Sequence, residues 1–331
     1  MRKVLRSAVG ADRRGGPLMA SREPVPDISI LIVSWNTCSL TRACLDSIPN
    51  SVRAGTRIQS IVVDNGSADG SIEMLRGRDD VELVENSDNL GFAVAVNQAF
   101  ARARGQLVLL LNSDIEFVPG SLDVLVRFLE RHPEVAGVGP LYLDPDGSFQ
   151  QHHYRLPTVS ALLANSSAPL RRFPLLARSL ERYRMLDVDF SSPQPVEQPS
   201  ASCLLLRREA LSDDYLLDEE FPIYFNDVEL AYRLGKRGHA FWMTPDSRVF
   251  HVHGASTRQL GSNLRQQHLA SAVRYLRRTR PSATVLLFRA VILAHALGLR
   301  LARGRQRPVP LRDVLRALRG DPGSLPQAPS G

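Results

Sequence analysis

The run Ile28-Ser-Ile-Leu-Ile-Val33 is almost wholly apolar, begins two residues after Pro26 and breaks off into Ser34-Trp35-Asn36. A short apolar run bounded by turn signals reads as a strand buried on both faces. Working outward, a helical pattern follows at residues 38–48, then a second apolar run at Ile58–Val63. Val81–Val84 and Leu107–Leu111 repeat the theme, each a helix-length segment beyond its predecessor. Strands that alternate with helices and lack a polar face predict an α/β fold, a mostly parallel sheet flanked by helices. Such sheets bind ligands beyond the carboxyl ends of their strands. Standing there are Ser34-Trp35-Asn36, Asp64-Asn65-Gly66-Ser67 and Asn112-Ser113-Asp114, all polar and turn-forming. Three such clusters in register point to one site.

Residues 121–132 then read as helix and 136–143 as strand. Between about 150 and 200, Pro157, Pro169, Pro174, Pro193, Pro195 and Pro199 weaken the pattern and predict loops and short helices over the site. Order returns with strand Cys203–Arg207, helix Asp227–Arg237 and strand Ala240–Met243, and the remainder reads as helices.

The 331 residues, 44% hydrophobic and 23% charged, suit one large globular domain or two intimate ones. Charge is distributed unevenly. Residues 1–22 carry six basic side chains against Asp12, and residues 258–321 carry fourteen arginines against Asp313 and Asp321. With a formal total of +7, the middle of the chain is net acidic. An acidic body with basic ends suits a cation-requiring site beside surfaces that meet anions. The tail arginines have only Tyr275 and Phe288 near them, too few rings to stack bases, so no nucleic-acid partner is expected. The scattered Cys38, Cys44 and Cys203 imply a reducing compartment and no disulfide framework. The basic start lacks the apolar core of a secretory signal.

Several residues carry candidate chemistry. Asp114 is delivered at a strand end, where it either caps a helix or binds a hard cation. Mg²⁺ or Mn²⁺ takes one or two carboxylates and completes its shell with phosphates. Asp64 and Asn65 open an ordinary Asn-Gly turn, yet a buried carboxylate there could also accept a base N–H. Asp227, opening a helix, either complements the helix dipole or serves as a general base; for Glu229 the dipole reading suffices. His251 and His253 alternate ahead of a glycine turn, as structural residues or as ligands.

Seven segments together resemble the GT-A inverting glycosyltransferases of family 2, in particular a bacterial rhamnosyltransferase-like branch. They are IVSWNT (32–37), VVDNGSADGS (62–71), NLGFAVAVNQ (89–98), LLLNSD (109–114), ASCLLLRREAL (201–211), DEEFPIYFNDVELAYRL (218–234) and HVHGAST (251–257). The resemblance implies a catalytic domain over residues 27–257, with a nucleotide-sugar-binding half at 27–120 and an acceptor half at 121–257. Asp64 would contact the donor base near Ser34, Asn36 and Asn65. Asn89, Gly91, Phe92 and Asn97 would shape the nucleotide-sugar pocket. Asn112-Ser113-Asp114 would stand for an Asp-x-Asp metal motif, with Asp114 and His251 as metal ligands, His253 competing, and Asp227 as catalytic base. Asn112 departs from the first Asp of that motif, and Asn226 stands where many relatives have Glu. The implied donor is dTDP-rhamnose, and the implied acceptor is lipid-linked or polysaccharide. Two rivals are weighed. A dinucleotide-binding oxidoreductase lacks its GxGxxG, since SWNTCSL occupies that turn. An inactive scaffold on the same fold need not keep Asp64, Asp114, Asp227 and His251 together.

Residues 1–26 and 321–331 are expected to be disordered, and 258–320 to form a basic amphipathic helical tail. Thr284–Ala302 is apolar apart from Arg289, His295 and Arg300. A spanning helix needs about 20 apolar residues, and a central Arg costs roughly 2.5–3.5 kcal/mol. The expectation is therefore an interfacial helix on an anionic membrane surface, at the inner face of the cell membrane. The alternative is helices that dock on the core or pair two copies as a homodimer.

Overall fold

The computed structural model describes residues 25–212, 214–252, 254, 264–303 and 310–321. The expected disordered ends fall almost wholly outside the described residues, and so does His253. β1 (Ile28–Ser34), α1 (Cys38–Ser47), β2 (Ile58–Asn65), α2 (Ser71–Arg76), β3 (Val81–Asn86), α3 (Phe92–Phe100) and β4 (Leu107–Asn112) alternate as the apolar runs predict. β5 (Ile115–Phe117), α4 (Ser121–Arg131), β6 (Val135–Leu143) and β7 (Phe149–Gln150) follow. The proline-rich stretch holds α5 (Val159–Ser166), α6 (Pro174–Tyr183) and β8 (Gln194–Val196). Then come β9 (Cys203–Arg207), α7 (Asn226–Lys236), β10 (Ala240–His251), α8 (Leu264–Thr279), α9 (Ser282–Arg303) and α10 (Leu311–Leu318).

The sheet runs β3-β2-β1-β4-β9-β6-β10-β5, with β7 on β6 and β8 on β10. β3, β2, β1 and β4 are parallel, as expected. Beyond them the sheet is mixed, because β9 lies antiparallel between β4 and β6. The reason is topological. The chain re-enters the sheet at Cys203, opposite Leu111, at the end where β4 finishes, and must run back. β10 is longer than the four residues read from sequence. Its register on β6 shifts between Thr244 and Arg248, which accommodates Pro245, a residue with no N–H for a ladder.

One face of the sheet buries α3 against Leu31, Ile61, Val63 and Leu110, and the other buries α1 and α4 against Ile30, Val62, Leu109 and Leu205. Cys44 and Cys203 are buried free thiols within this second layer. A third cluster joins the C-terminal helices to the body: Val273, Leu276, Phe288 and Leu318 pack on Leu162, Phe221, Phe225 and Val228. Among the described residues one helix, over Ser282–Leu301, is long and apolar enough to cross a membrane.

Candidate active site

A cavity of about 330 Å³ opens beyond the carboxyl ends of β1, β2 and β4. Asn65 reaches it from β2, Asn89, Gly91 and Phe92 from the start of α3, and Asn112, Ser113 and Asp114 from the end of β4. His251 enters from the end of β10, and Asn226 and Asp227 from the start of α7. Asp114 and Asp227, from separate parts of the chain, therefore line one space.

Asp114 is 8% exposed, with Oδ1 3.5 Å from Nε2 of the buried His251. The histidine is oriented from behind. Gln150 Nε2 donates to Asp144 Oδ1 (2.5 Å) and to the His251 carbonyl (3.3 Å). A carboxylate and a carbonyl only accept, so the Gln150 oxygen must face His251 Nδ1, at 2.6 Å. Nδ1 is then the N–H of the ring, with His152 Nε2 also 3.1 Å away. In a neutral imidazole with its proton on Nδ1, Nε2 bears the lone pair, on the side of the Asp114 carboxylate. A lone pair and a carboxylate oxygen facing each other are two donors for a cation. Among the described residues no group of three His, Cys, Asp or Glu forms a cage. Mg²⁺ and Mn²⁺ suit such a sparse set, because substrate phosphates and water fill the remaining positions. The residues present fit an ion that arrives with a diphosphate.

Asp227 sits half-buried at the cavity wall. Its Oδ1 accepts from the Val228 N–H (2.8 Å) and its Oδ2 from Gln198 Nε2 (3.0 Å). Burial pushes this carboxyl up, against those two hydrogen bonds. The preceding Phe225 has φ 68°, a left-handed conformation rare for a bulky residue, and it lines the cavity. The helix starts at Asn226, one residue before the expected Asp227, and Asn226 Nδ2 donates to the Ile223 carbonyl (2.8 Å). Glu229 points elsewhere: it is buried against Arg233 (3.1 Å) with Arg278 at 3.9 Å.

Four expected site residues are not among those lining the cavity. Ser34 is buried with its hydroxyl 3.1 Å from that of Thr41. Asn36, at φ 50°, laces the β1 turn to the β2 turn, its N–H donating to Ser67 Oγ (2.9 Å) and its Oδ1 accepting from the Ala68 N–H (2.8 Å). It lines a neighbouring groove with Thr37 and Asp69. Asn97 accepts from the Leu216 and Leu217 N–H groups (3.1 and 3.0 Å) and donates to the Leu217 carbonyl (2.8 Å), so it fixes a loop instead of facing the pocket. Asp64 is fully buried. Its Oδ1 accepts from the Ser67 N–H (2.9 Å), its Oδ2 has no hydrogen-bond partner, and burial pushes the carboxyl up. The turn beside it needs Gly66: φ is +79°, and a Cβ there would meet the Asp88 backbone at 2.9 Å.

Sequence reasoning missed Gln150, His152, Gln198 and Ser202, whose Oγ accepts from Asn112 Nδ2 (3.1 Å). It also missed Trp35 as a wall residue whose buried indole N–H has no partner. The Gln-His-His run at 151–153 was a signal for one of them. Of its two histidines, His153 is structural: its Nε2 lies 2.8 Å from the Pro140 carbonyl, and burial lowers its pKa to about 4.

Residues 29–214 match the family model described as glycosyl transferase family 2. An N-acetylglucosaminyl-diphospho-decaprenol L-rhamnosyltransferase of Mycobacterium tuberculosis is 32% identical over 230 residues, 65% of this chain and 74% of that protein. The O-antigen biosynthesis protein RfbC of Myxococcus xanthus is 28% identical over 70% of this chain but only 18% of its own length. Among solved structures, the mannosyltransferase PcManGT from Pyrobaculum calidifontis, in complex with GDP-Man and Mn²⁺, aligns with a TM-score of 0.50 at 18% identity, covering 88% of this chain and 79% of that one. GalNAc-T7 with UDP, GalNAc and Mn²⁺ gives 0.53 at 17%, covering 77% and 48%. These likenesses show the GT-A fold.

Proposed function

This chain belongs to glycosyl transferase family 2, and we propose that it is an inverting enzyme that moves rhamnose from dTDP-rhamnose to a hydroxyl of a lipid-linked acceptor in cell-envelope glycan synthesis. The observation that carries this reading is that Asp114 and Asp227 line one cavity. The mycobacterial relative is named for transfer of L-rhamnose to a lipid-linked N-acetylglucosaminyl diphosphate, and an acceptor of that class suits a chain with the apolar α9. We place the protein in the cytoplasm, peripheral on the inner face of the membrane.

Asp64 is sealed off from the cavity, and its unpartnered Oδ2 would meet the imide N–H of a thymine or uracil base only once the Gly66–Ser67 turn opens. Asn65, Asn89 and the Gly91 N–H, bound to Asn89 Oδ1 at 3.0 Å, form the floor beside it. Asp114 and His251 would hold the divalent cation, whose charge offsets that of the departing diphosphate. Asp227 then takes the proton of the acceptor hydroxyl, which attacks the anomeric carbon from the face opposite the leaving group. Burial raises the basicity of the carboxylate, while Gln198 and the Val228 N–H hold its lone pairs in place.

The test has two arms. In a thermal-shift panel, dTDP- or UDP-sugars with Mg²⁺ or Mn²⁺ should raise Tm, since a ligand of the folded state stabilises it by mass action. Asp227→Asn should keep that shift and lose turnover by about a thousandfold or more, general-base catalysis being worth about 10²–10⁴. Undiminished turnover removes Asp227 from the role of base; the absence of any nucleotide-sugar shift sinks the donor assignment.

A further inference from the structure

Among the described residues, nothing covers the outward side of α9. Ala283, Leu286, Leu287, Ala290, Ala294, Leu297, Gly298 and Leu301 are exposed and recur every three or four residues, so they form one apolar stripe without a charge. Leu286, Leu287 and Leu301 are 65%, 64% and 89% exposed. The opposite side of the helix is anchored by Val285, Phe288 and Ile292, all buried. His295, one of the polar interruptions in the sequence, is turned inward to Ser167 Oγ at 2.6 Å. From Ser167 the chain runs directly into a second exposed corner, Arg171-Arg172-Phe173-Pro174-Leu175, in which Phe173 is 59% and Leu175 80% exposed.

We propose that the α9 stripe and the Phe173–Leu175 corner form one docking face for an anionic lipid bilayer, on which the enzyme lies without crossing it. Three observations choose this occupant. The exposed stripe and corner are apolar, the mark of a surface that meets a partner or a membrane. Exposed Arg171, Arg172 and Arg178 stand at the corner and exposed Arg300 beside the stripe, the last within a C-terminal stretch of fourteen arginines and two aspartates, so the rim is complementary to acidic headgroups. Finally, the inner face is locked to the body: Phe288 packs in the same cluster as Phe225, a wall residue of the cavity. A helix threaded through a bilayer would have to abandon that packing, whereas one lying in the interface keeps it. The same cluster joins Tyr224 and Phe225 of the cavity wall to the buried side of α9. A lipid-linked acceptor could then reach Asp227 with its polyprenyl chain still in the bilayer. The docking face rests on the peripheral location proposed above but is independent of the sugar chemistry.

Vesicle flotation of the full chain tests it without reading turnover. The wild type should float with phosphatidylcholine vesicles containing phosphatidylglycerol, bind pure phosphatidylcholine vesicles more weakly, and be partly released by salt. Leu286→Glu/Leu297→Glu changes only exposed positions, so Tm and nucleotide-sugar binding should stay unchanged while vesicle binding falls on the order of tenfold or more. Phe173→Ser/Leu175→Ser should weaken binding several-fold. Flotation of the glutamate variant at the wild-type level overturns the proposal, and so does a wild type that never floats. Equal binding by the serine variant removes the second element and overturns the two-part face. A wild-type dimer in light scattering that the glutamates convert to monomer assigns the stripe to a second copy and also overturns it.

Discussion

Asp227 works between opposing influences: enclosure by protein makes its charge costly, and donors from Val228 and Gln198 make the charge tolerable. The sign of the consequence follows directly. As the proposed base Asp227 acts ionised, and burial raises its pKa, so turnover should be full above the raised value and lost as pH falls through it. kcat plotted against pH should therefore show an acid limb above the range of an exposed aspartate, about 3.9. Gln198→Leu removes one donor to the ionised form. It should move the limb to higher pH and lower kcat on that limb about tenfold or more, since a hydrogen bond to a charged group contributes about 1.5–3 kcal/mol. An unmoved limb would mean that Gln198 does not govern the base. Asp114 and Asp227 were legible in the sequence because each stands at the end of an element whose periodicity shows. Gln150 and Gln198 were not. They come from the proline-rich excursion, where position is set by distant contacts such as Gln150 to His251, 101 residues apart, and no local pattern encodes these.

At the scale of elements, the start of α7 is the critical junction. Phe225 holds a left-handed backbone at the residue before Asn226, and its ring is pinned 5.1 Å from His268 and 5.9 Å from Tyr275, both on α8. The packing of that ring compensates for the conformation that aims the first turn, and with it Asp227, into the cavity. Phe225→Ala should therefore cost about 3–5 kcal/mol, as large-to-small core changes do. It should also reduce kcat in the protein that remains folded, because the first turn loses its brace. Chemical denaturation and kinetics below the unfolding range measure the two effects; a stable variant with full kcat would show that the ring is incidental. The four parallel strands were readable as apolar runs. β5, β7 and β8 have two or three residues each, too few to display a period, and the reversal of β9 depends on its partners β4 and β6, not on its own residues.

For the whole molecule, the C-terminal helices pack as part of the body. Arg278 on α8 meets Asp218 and Glu220 at 2.5 Å, and Arg274 donates to the Glu220 carbonyl, so α8 grips the loop that leads into Phe225 and Asp227. Surface ion pairs alone contribute little; the weight lies in Val285, Phe288, Ile292 and Leu318, all buried in the shared cluster. Sequence composition separated residues 258–320 from the catalytic domain because charge changes sharply there, whereas burial continues across that boundary. Deleting residues 281–331 should thus do more than detach a membrane anchor. Removing these four buried side chains, each worth about 1.5–3 kcal/mol, and baring Phe221, Phe225 and Val228 beneath them should lower Tm by at least about 10 °C in a chain of this size. Turnover of a water-soluble acceptor should fall with it, although no deleted residue lines the cavity. If the truncated chain instead melts like the full one and turns over at the same rate, the helices are an appendage, and Phe225 keeps its conformation without them.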